Sequence, residues 1–246
     1  MKVLISKKTG NYYYYRKGTG DYHTKEGYLA EEELNSSKSV ICTANQGGTR
    51  EFMMFDANDF DKIKKFKRGP QMIQAKDLGY VVGRTRINKK SKVVESGSGM
   101  GVATTFFASL VDKVVSYEIK EEHHKIAQKN VEMMEIDNVE LINGDINDEI
   151  ENQKDIDLLF LDMLNTQDVL KKDLSGIKSG RYIVCYVPSI TQIQALIDVV
   201  KDSDSLYLEE ITEIIARNWT VWEKVARPNH RKEIDHTAFL VFIRKY

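Results

Sequence analysis

A short apolar run that leads into a glycine-rich turn, at residues 93–101, constrains the fold of this 246-residue chain more than any other feature. The β-branched residues at its start predict a buried strand. The three glycines that follow predict a tight turn whose backbone can approach a ligand closely, because glycine has no Cβ. The apolar spacing over residues 102–110 predicts a helix. A strand, a glycine turn and a helix in this order form the ligand-binding corner of a parallel α/β sheet.

A second apolar run, residues 114–118, ends in Glu118. An acid at the tip of the next strand is where the hydroxyl pair of a ribose would be held, so the two runs together predict a nucleoside-cofactor pocket. The glycine spacing is one residue shorter than the dinucleotide pattern, and Glu95 stands two residues before the first glycine. Both features favour S-adenosylmethionine over a dinucleotide. The alternative is that the glycines form only a tight turn.

From residue 92 onward, strand and helix patterns alternate. Strands are predicted near 92–95, 113–118, 139–143, 156–161 and 181–187, and helices near 102–110, 122–134, 166–174 and 190–200. Alternation of this kind predicts a parallel sheet with helices on both faces. Two further strand-like runs, 206–216 and 236–244, predict an antiparallel closing pair. An α/β fold with a mostly parallel seven-stranded sheet and such a pair resembles the class I S-adenosylmethionine-dependent methyltransferase fold rather than a dehydrogenase.

The first 69 residues differ in character and predict a small β-rich domain in front of the domain at 70–246. Strands are expected at 11–16, 39–43 and 51–55, a short helix at 59–66, and a joint at Gly69–Pro70. This segment holds 13 Lys and Arg against 9 Asp and Glu, whereas the remainder holds 23 against 28. A basic small domain suggests a phosphate-rich substrate. Its tyrosine run 12–15 predicts a cross-strand aromatic ladder, with base stacking as the alternative.

Composition sets the broad class of protein. Charged residues make up 30% and hydrophobic residues 41%, as in soluble globular proteins. No apolar run is long enough to span a bilayer, and the start MKVLISKKTG lacks the core of a signal peptide. Cys42 and Cys185 lack metal-ligand spacing, so each is expected to be a small buried residue. We therefore expect a cytoplasmic protein with no membrane partner and no metal.

Three polar residues fall where predicted strands end. Asp145 could accept a hydrogen bond from an adenine amino group, and its alternative is a turn-forming Asp. Asp162 follows the most apolar strand, at the crevice where the reactive end of a ligand lies. The alternative for Asp162 is the N-cap of the next helix. Tyr186 is the candidate for lining a target-base pocket, and its alternative is a packed tyrosine at a strand end.

A series of motifs occurs in order along nearly the whole chain. They are PQMIQAKD at 70–77, ESGSGMG at 95–101, SYE at 116–118, GD at 144–145, LD at 161–162, YVPSITQ at 186–192, RP at 227–228 and HTAFL at 236–240. In this series the chain resembles the tRNA (adenine-N1)-methyltransferase family that modifies the T-loop adenosine, in its archaeal and bacterial form. YVPSITQ and HTAFL are far more specific than the glycine turn.

The resemblance implies a role for each matching residue. The methionine end of S-adenosylmethionine would lie against Gly97, Ser98, Gly99 and Met100, with its ribose at Glu118 and its adenine at Asp145. His123 matches a cofactor-contacting position, although a histidine at a helix start is more often solvated. Asp162 matches the carboxylate that lies between the methyl donor and the target base and so contacts both. The resemblance also implies a tRNA partner, a homotetramer, and 1-methyladenosine at position 58 as product, with position 57 as a second candidate.

The chain departs from the family in two segments. Asp162 is followed by Met163-Leu164-Asn165-Thr166-Gln167 instead of a segment rich in proline and ending in tryptophan, and Gln74-Ala75 replaces a Tyr-Pro pair. Both segments would border the target base, so target choice is open. Two alternatives therefore stay in play. One is a class I methyltransferase that acts on a small metabolite such as a corrin precursor, and the other is a non-catalytic tRNA-binding subunit.

Overall fold

The computed structural model describes residues 1–43, 49–222, 225–229 and 236–246. The chain divides into two compact units, Met1–Phe66 and Lys67–Tyr246. The division falls three residues before the Gly69–Pro70 joint expected from the sequence. Each unit has its own buried core.

The N-terminal unit is an antiparallel four-stranded sheet with a hairpin and two short helices. Its strand order is β2-β1-β6-β5, and β3 pairs with β4. The sequence did not predict β1, the hairpin or α1, because segments of three to five residues carry too few positions to show a period. Cys42 is exposed on β5, so the expectation that it is buried was wrong. The elements are β1 (Lys2–Ser6), β2 (Tyr12–Tyr15), β3 (Tyr22–Thr24), β4 (Gly27–Leu29), α1 (Glu31–Asn35), β5 (Val40–Cys42), β6 (Glu51–Asp56) and α2 (Asp59–Ile63).

The four tyrosines of β2 divide between the two faces of its sheet, as the two-residue period of a strand requires. Tyr15 is fully buried and Tyr13 packs edge-on against Phe52, with ring centroids 5.8 Å apart. These two belong to the core, but the predicted cross-strand ladder is absent from this described sheet, because the neighbouring strand β1 has Leu4 opposite Tyr13 and carries no aromatic residue. Tyr12 is 55% exposed on the other face, where Tyr14 also lies. The second pair is therefore accessible to a partner.

The C-terminal unit contains one seven-stranded sheet in the order β12-β15-β11-β10-β7-β8-β9. All neighbours are parallel except β15, which runs antiparallel to both β11 and β12. The predicted fold class is thereby confirmed. The elements are α3 (Ala75–Thr85), β7 (Lys92–Ser96), α4 (Val102–Ala108), β8 (Lys113–Glu118), α5 (Glu121–Met134), β9 (Val139–Asn143), α6 (Ile146–Glu149), a 3₁₀ turn (Ile150–Asn152), β10 (Ile156–Leu161), α7 (Thr166–Val169), β11 (Ile177–Val187), α8 (Ile190–Lys201), β12 (Leu206–Thr212), β13 (Trp219–Trp222), β14 (Val225–Pro228) and β15 (Phe239–Lys245).

Strand β10 lies at the centre of this sheet, and every one of its residues is buried. A strand covered on both faces carries a continuous apolar run rather than an alternating one. This is why the residues of 156–161 are all apolar except Asp157. Cys185, on the neighbouring β11, is also buried, as expected. Several features differ from the sequence prediction: α3, α6 and the 3₁₀ turn were not predicted, and α7 is one turn long. The closing strand β12 ends at Thr212, and a β13–β14 hairpin stands between the closing strands. Within the described ranges, no helix has the length and apolar character needed to cross a membrane.

Backbone hydrogen bonds tie the loops at the carboxyl ends of the strands to one another. The Gly97 amide donates to the Tyr117 carbonyl at 2.9 Å, and the Asp162 amide donates to the Ser96 carbonyl at 2.9 Å. The Gly144 amide donates to the Glu118 carbonyl at 3.1 Å. The loops after β7, β8, β9 and β10 are thus held at one edge of the sheet. Side chains at the four strand tips are brought together there.

Gly176, just before β11, provides a test of the packing at the opposite edge of the sheet, where β10 and β11 begin. A Cβ on Gly176 would lie 1.9 Å from the Gln153 carbonyl oxygen, so Gly176→Ala requires the backbone to shift. We expect it to lower the free energy of unfolding by about 1–3 kcal/mol in urea titrations. The matched control is Gly79→Ala in α3, where a Cβ meets nothing within 4 Å. That variant should be neutral or up to about 1 kcal/mol more stable. Equal unfolding midpoints for the two variants would contradict the assigned packing.

Candidate active site

A cavity of about 660 Å³ lies over the carboxyl ends of β7, β8, β9 and β10. This volume is within the range of small-molecule sites, and the position is where open parallel sheets bind ligands. All eight sequence-predicted cofactor residues line it: Gly97, Ser98, Gly99, Met100, Glu118, His123, Asp145 and Asp162. Other lining residues were not singled out from the sequence, among them Met72, Ile73, Ile119, Lys120, Asn147 and Leu164.

The glycine turn packs directly against the loop after β10. Gly97 has φ +94°, and a Cβ placed on it would lie 1.9 Å from the Asp162 carbonyl oxygen. No other residue type fits this position, because both the backbone conformation and the close approach exclude a side chain. Ser98 is buried, and its hydroxyl lies 2.6 Å from that of Ser116. The turn therefore forms a rigid wall of the cavity.

Glu118 braces the glycine turn from the neighbouring strand tip. Its Oε2 accepts from the Gly99 amide at 2.9 Å, and its Oε1 accepts from the Lys120 amide at 3.0 Å. The Nδ1 atom of His123 lies 3.8 Å from Oε1. The side chain of Glu118 is buried, yet each carboxylate oxygen has a second acceptor position. Glu118 can therefore bind a ligand hydroxyl while it holds the turn.

Asp145 acts as the N-cap of α6 and also lines the cavity. Its Oδ1 accepts from the backbone amide and from the side-chain amide of Asn147, each at 2.9 Å. The Oδ1 atom of Asp145 thus has the local structural role that the turn-forming alternative expected. The Oδ2 atom takes no part in the cap. Asn147 carries a buried Oδ1 without a hydrogen-bond partner among the described residues. Its polar amide at the cavity wall is a feature that the sequence pattern did not suggest.

Asp162 lies between the glycine turn and the mouth of the cavity. Asn165 occupies the N-cap position of α7, with φ +58° and no side-chain capping hydrogen bond, so Asp162 is not the N-cap of this helix. Burial, and then the negative charge of Glu118, raise the pKa of Asp162 to about 7. A carboxylate in this position is available for chemistry, because no cap occupies it.

Glu95 is fully buried behind the glycine turn. Its Oε2 accepts from the Thr104 hydroxyl at 2.5 Å and from the Ser116 hydroxyl at 2.7 Å, while Oε1 has no partner among the described residues. Burial raises its pKa to about 7, and the charges of Asp162 and Glu118 add to the effect. Three acids therefore surround the same turn. Such a cluster favours a ligand that carries positive charge.

Tyr186 lies at the end of β11 and is not among the described residues that line the cavity. Its hydroxyl donates to Asp77 Oδ2 at 3.2 Å, and the Thr237 hydroxyl donates to the same oxygen at 3.0 Å. Lys76 Nζ donates to Asp77 Oδ1 at 2.8 Å and to the Thr237 hydroxyl oxygen at 2.7 Å. Burial raises the pKa of Tyr186, and the negative charges of Asp77 and Asp162 contribute. Asp77, with no exposed surface, joins three distant segments and was not singled out from the sequence.

Sheet order, the single antiparallel strand and the cavity over the glycine turn together define the class I methyltransferase fold. The family described as the tRNA methyltransferase complex GCD14 subunit matches residues 65–238, which is most of the chain. The chain belongs to this family. Among the described residues, no group of three or more His, Cys, Asp or Glu side chains could hold a metal ion.

Individual relatives extend the match over the whole chain. A tRNA (adenine(57)-N(1)/adenine(58)-N(1))-methyltransferase, TrmI, from Methanocaldococcus jannaschii is 28% identical, with 99% of this chain and 94% of the relative covered. The solved tRNA (m1A58) methyltransferase TrmI of Aquifex aeolicus superposes with a TM-score of 0.80 at 23% identity, covering 100% and 96% of the two chains. A SAM-dependent O-methyltransferase from Thermotoga maritima has a TM-score of 0.85 at 22% identity, covering 99% and 92%. The two structural likenesses establish the fold.

The acid cluster predicts how stability depends on pH in the protein without ligand. Glu95 and Asp162 ordinarily have pKa values of 4.5 and 3.8, and burial raises both to about 7 in the folded chain. Between these values the folded state binds more protons than the unfolded state, so stability falls as the pH rises toward about 7. We expect Glu95→Gln to lose part of this decline in urea unfolding measured from pH 4.5 to 8. The exposed Glu132→Gln should retain the decline in full. Parallel curves for all three proteins would contradict the buried-acid assignment.

Proposed function

We propose that this chain transfers a methyl group from S-adenosylmethionine to N1 of an adenosine in the T-loop of tRNA, at position 58, with 57 as a second candidate. The observation that carries the proposal is Asp162, a half-buried carboxylate in the cavity wall at the tip of the central strand, whose backbone amide donates to Ser96 beside the glycine turn. Membership of a tRNA methyltransferase family supports the substrate class. Named relatives that are tRNA (adenine-N1)-methyltransferases support the base and the ring atom.

The cavity fits S-adenosylmethionine in shape and charge. In this proposal Gly97, Ser98, Gly99 and Met100 contact its methionine end, Glu118 its ribose, Asp145 its adenine, and His123 lies beside the ribose. The acids Glu95, Glu118 and Asp162 suit a cation, whereas the diphosphate of NAD would be repelled. When bound, the cofactor supplies a methyl group activated by a positively charged sulfur.

Asp162 would act on the acceptor base. Adenine N1 is a weak nucleophile, and the ring becomes positively charged as N1 is methylated. An ionised Asp162 that accepts a hydrogen bond from the N6 amino group raises the electron density at N1 and stabilises the growing charge. Burial strengthens this interaction, because little water screens it. A bound cation lowers the pKa of Asp162 and so favours the ionised form.

Two alternatives stated from the sequence are weaker. A methyltransferase for a small metabolite does not account for the basic N-terminal unit, or for relatives that act on tRNA and match along 99% of the chain. A non-catalytic tRNA-binding subunit does not account for an intact glycine turn with Glu118, Asp145 and Asp162 all lining one cavity. Incubation with radiolabelled S-adenosylmethionine and either unmodified bulk tRNA or cell-extract metabolites separates the possibilities. Nucleoside analysis of labelled tRNA should identify 1-methyladenosine.

Asp162→Asn tests the catalytic assignment, since it keeps the shape and removes the charge. Single-turnover methylation of tRNA should fall by on the order of a hundredfold or more, as for the loss of one electrostatic stabiliser. Affinity for S-adenosylmethionine, measured by calorimetry, should change far less. Asp168→Asn is the matched control, because Asp168 lines the cavity but already pairs with Lys171 at 2.9 Å. A fully active Asp162→Asn protein would remove the catalytic role and reopen the binding-subunit alternative.

The N-terminal unit, residues 1–69 in the sequence-based division, would contact tRNA through the outer face of its sheet. Lys64 Nζ lies 5.5 Å from the ring centre of Tyr12 and 4.8 Å from that of Phe60, and Lys65 Nζ lies 4.8 Å from that of Tyr14. Tyr12 and Phe60 are 55% and 57% exposed. Exposed aromatic rings next to lysines combine stacking surfaces with phosphate contacts, as single-stranded nucleic acid requires.

Removal of the two lysines should weaken tRNA binding without affecting the cofactor. For Lys64→Ala/Lys65→Ala we expect the Kd for tRNA to rise about three- to tenfold. The slope of log K against log salt should become shallower by about 1–2, because up to two phosphate contacts are lost. Lys17→Ala/Lys25→Ala removes the same charge from exposed sites elsewhere in the unit and should have a smaller effect. The same loss from both double variants would indicate a non-specific charge effect.

The resemblance also leads us to propose a homo-oligomer, most simply a tetramer, in the cytoplasm where tRNA is used. Support for a further subunit comes from the β13–β14 hairpin, whose Trp219, Val221 and Val225 are 57%, 74% and 48% exposed. Trp219 and Val221 lie on one face of the hairpin and Val225 on the other, and exposed apolar side chains are typical of surfaces that a partner covers. Several copies would combine their basic surfaces around one tRNA.

A further inference from the structure

The imidazole of His236 makes two hydrogen bonds that a neutral ring cannot make together. Its Nδ1 lies 2.5 Å from Glu213 Oε1, and its Nε2 lies 3.0 Å from the Pro188 carbonyl oxygen. A carbonyl accepts only, and so does an ionised carboxylate. Neutral histidine carries a single N–H, so it can donate to one of the two partners. The observed geometry therefore corresponds to the doubly protonated imidazolium.

The surroundings of His236 favour that form. The hydrogen bond to Glu213 raises the pKa of His236 most, and the Pro188 carbonyl adds to the effect. The positive charge of Lys76 lowers the pKa of His236 and so opposes this shift. The ring of Phe239 lies 4.8 Å away, centre to centre, and covers one side of the imidazole. Histidine ordinarily titrates just below neutral pH, and these contacts raise the pKa of His236, so its deprotonation is expected at a higher pH than that of a free histidine.

His236 links two segments that lie far apart in the sequence. Glu213 directly follows β12, and Pro188 directly follows β11, two residues after Tyr186. The neighbouring Thr237 donates to the same Asp77 oxygen as the Tyr186 hydroxyl. The segment 236–237 is thus joined to the segment 186–188 at two points, one through Asp77 and one through the imidazole. Release of the His236–Pro188 bond frees the turn that follows Tyr186.

We propose that His236 is a positioning residue: as an imidazolium it holds the turn after Tyr186 in the arrangement that methyl transfer to the base requires, and it releases that turn when it loses a proton. The inference rests on the proposed function and concerns the base side of the site. His236 itself contacts neither cofactor nor base. Its effect is expected on the rate of transfer, while the binding of S-adenosylmethionine should be unaffected.

Two amide variants separate the two hydrogen bonds. The side-chain amide nitrogen of glutamine can replace Nε2 of histidine, and that of asparagine can replace Nδ1. His236→Gln therefore retains a donor toward Pro188 and does not titrate, whereas His236→Asn retains only the donor toward Glu213. Glu213→Gln keeps the shape of the partner and removes the charge that favours the imidazolium. His23→Gln, an exposed histidine on β3, is the control for a lost histidine.

Single-turnover rates with saturating tRNA should be measured from pH 6 to 9.5. The wild type and His23→Gln should show a rate that falls at the alkaline end. His236→Gln should lose this fall and keep its plateau within about threefold, and His236→Asn should be about tenfold slower throughout. Glu213→Gln should move the fall toward lower pH, so that its rate at pH 8 is about fivefold below wild type. An unchanged alkaline fall in His236→Gln, or equal rates in the Gln and Asn variants, would overturn the proposal.

An NMR titration of the histidine rings in the ligand-free protein gives a result that does not depend on activity. The His236 resonances should titrate above the ordinary value of 6.5 in the wild type and lower in Glu213→Gln. A neutral His236 at pH 6.5 would overturn the proposal even in an active enzyme. If no tRNA is methylated under any condition while His236 titrates as expected, the proposed function fails and the protonated link stands. Melting temperatures of the variants identify any loss of folding.

Discussion

The close packing of Gly97 against the carbonyl group of Asp162 is the constraint on which the rest of the site depends. It allows the loops after β7 and β10 to meet with no side chain between them, and the Asp162–Ser96 backbone hydrogen bond fixes that approach. The consequence is electrostatic. Glu95, Glu118 and Asp162 lie around one turn, where the charge of Glu118 raises the pKa of Asp162, and the charges of Asp162 and Glu118 raise that of Glu95. Binding of a cation at this site would reduce the repulsion among the three carboxylates.

Hydrogen bonds from uncharged donors lower the cost of burying these carboxylates and leave their negative charge in place. Glu95 accepts from two hydroxyl groups and Glu118 from two backbone amides. Such bonds satisfy part of each carboxylate but bring no full positive charge, so the cluster stays acidic. A lysine or arginine in their place would stabilise the free protein and would compete with a cationic ligand. The choice of neutral donors therefore preserves the affinity of the site for positive charge.

The sequence predicted the elements that carry a strong local pattern. Central strands such as 156–161 were placed to the residue, because burial on both faces leaves a continuous apolar run. Helix α3 was not predicted, since Gly79 and Gly83 weaken its helical propensity and its stability comes from packing. The cavity-lining residues were found for a related reason: strand tips are recognisable along the chain. The hydrogen-bond network around Asp77 was not predicted, because Tyr186 and Thr237 lie more than 100 residues away from it and no local sequence pattern indicates such contacts.

The two departures from the family pattern lie in different places: the segment after Asp162 borders the cavity, whereas Gln74 and Ala75 are not among the described residues that line it. In place of prolines, the loop after Asp162 turns at Asn165, whose φ of +58° is one that asparagine tolerates better than most residues. This turn leaves Leu164 79% exposed at the mouth of the cavity, with Met72 42% exposed among the other lining residues. Under the proposed function, these apolar side chains meet the faces of an extracted base, while Asp162 meets its edge. Many apolar side chains can contact the face of a base, whereas a hydrogen bond to its edge needs a particular polar group. The apolar residues around the base can therefore differ between relatives while the carboxylate is kept.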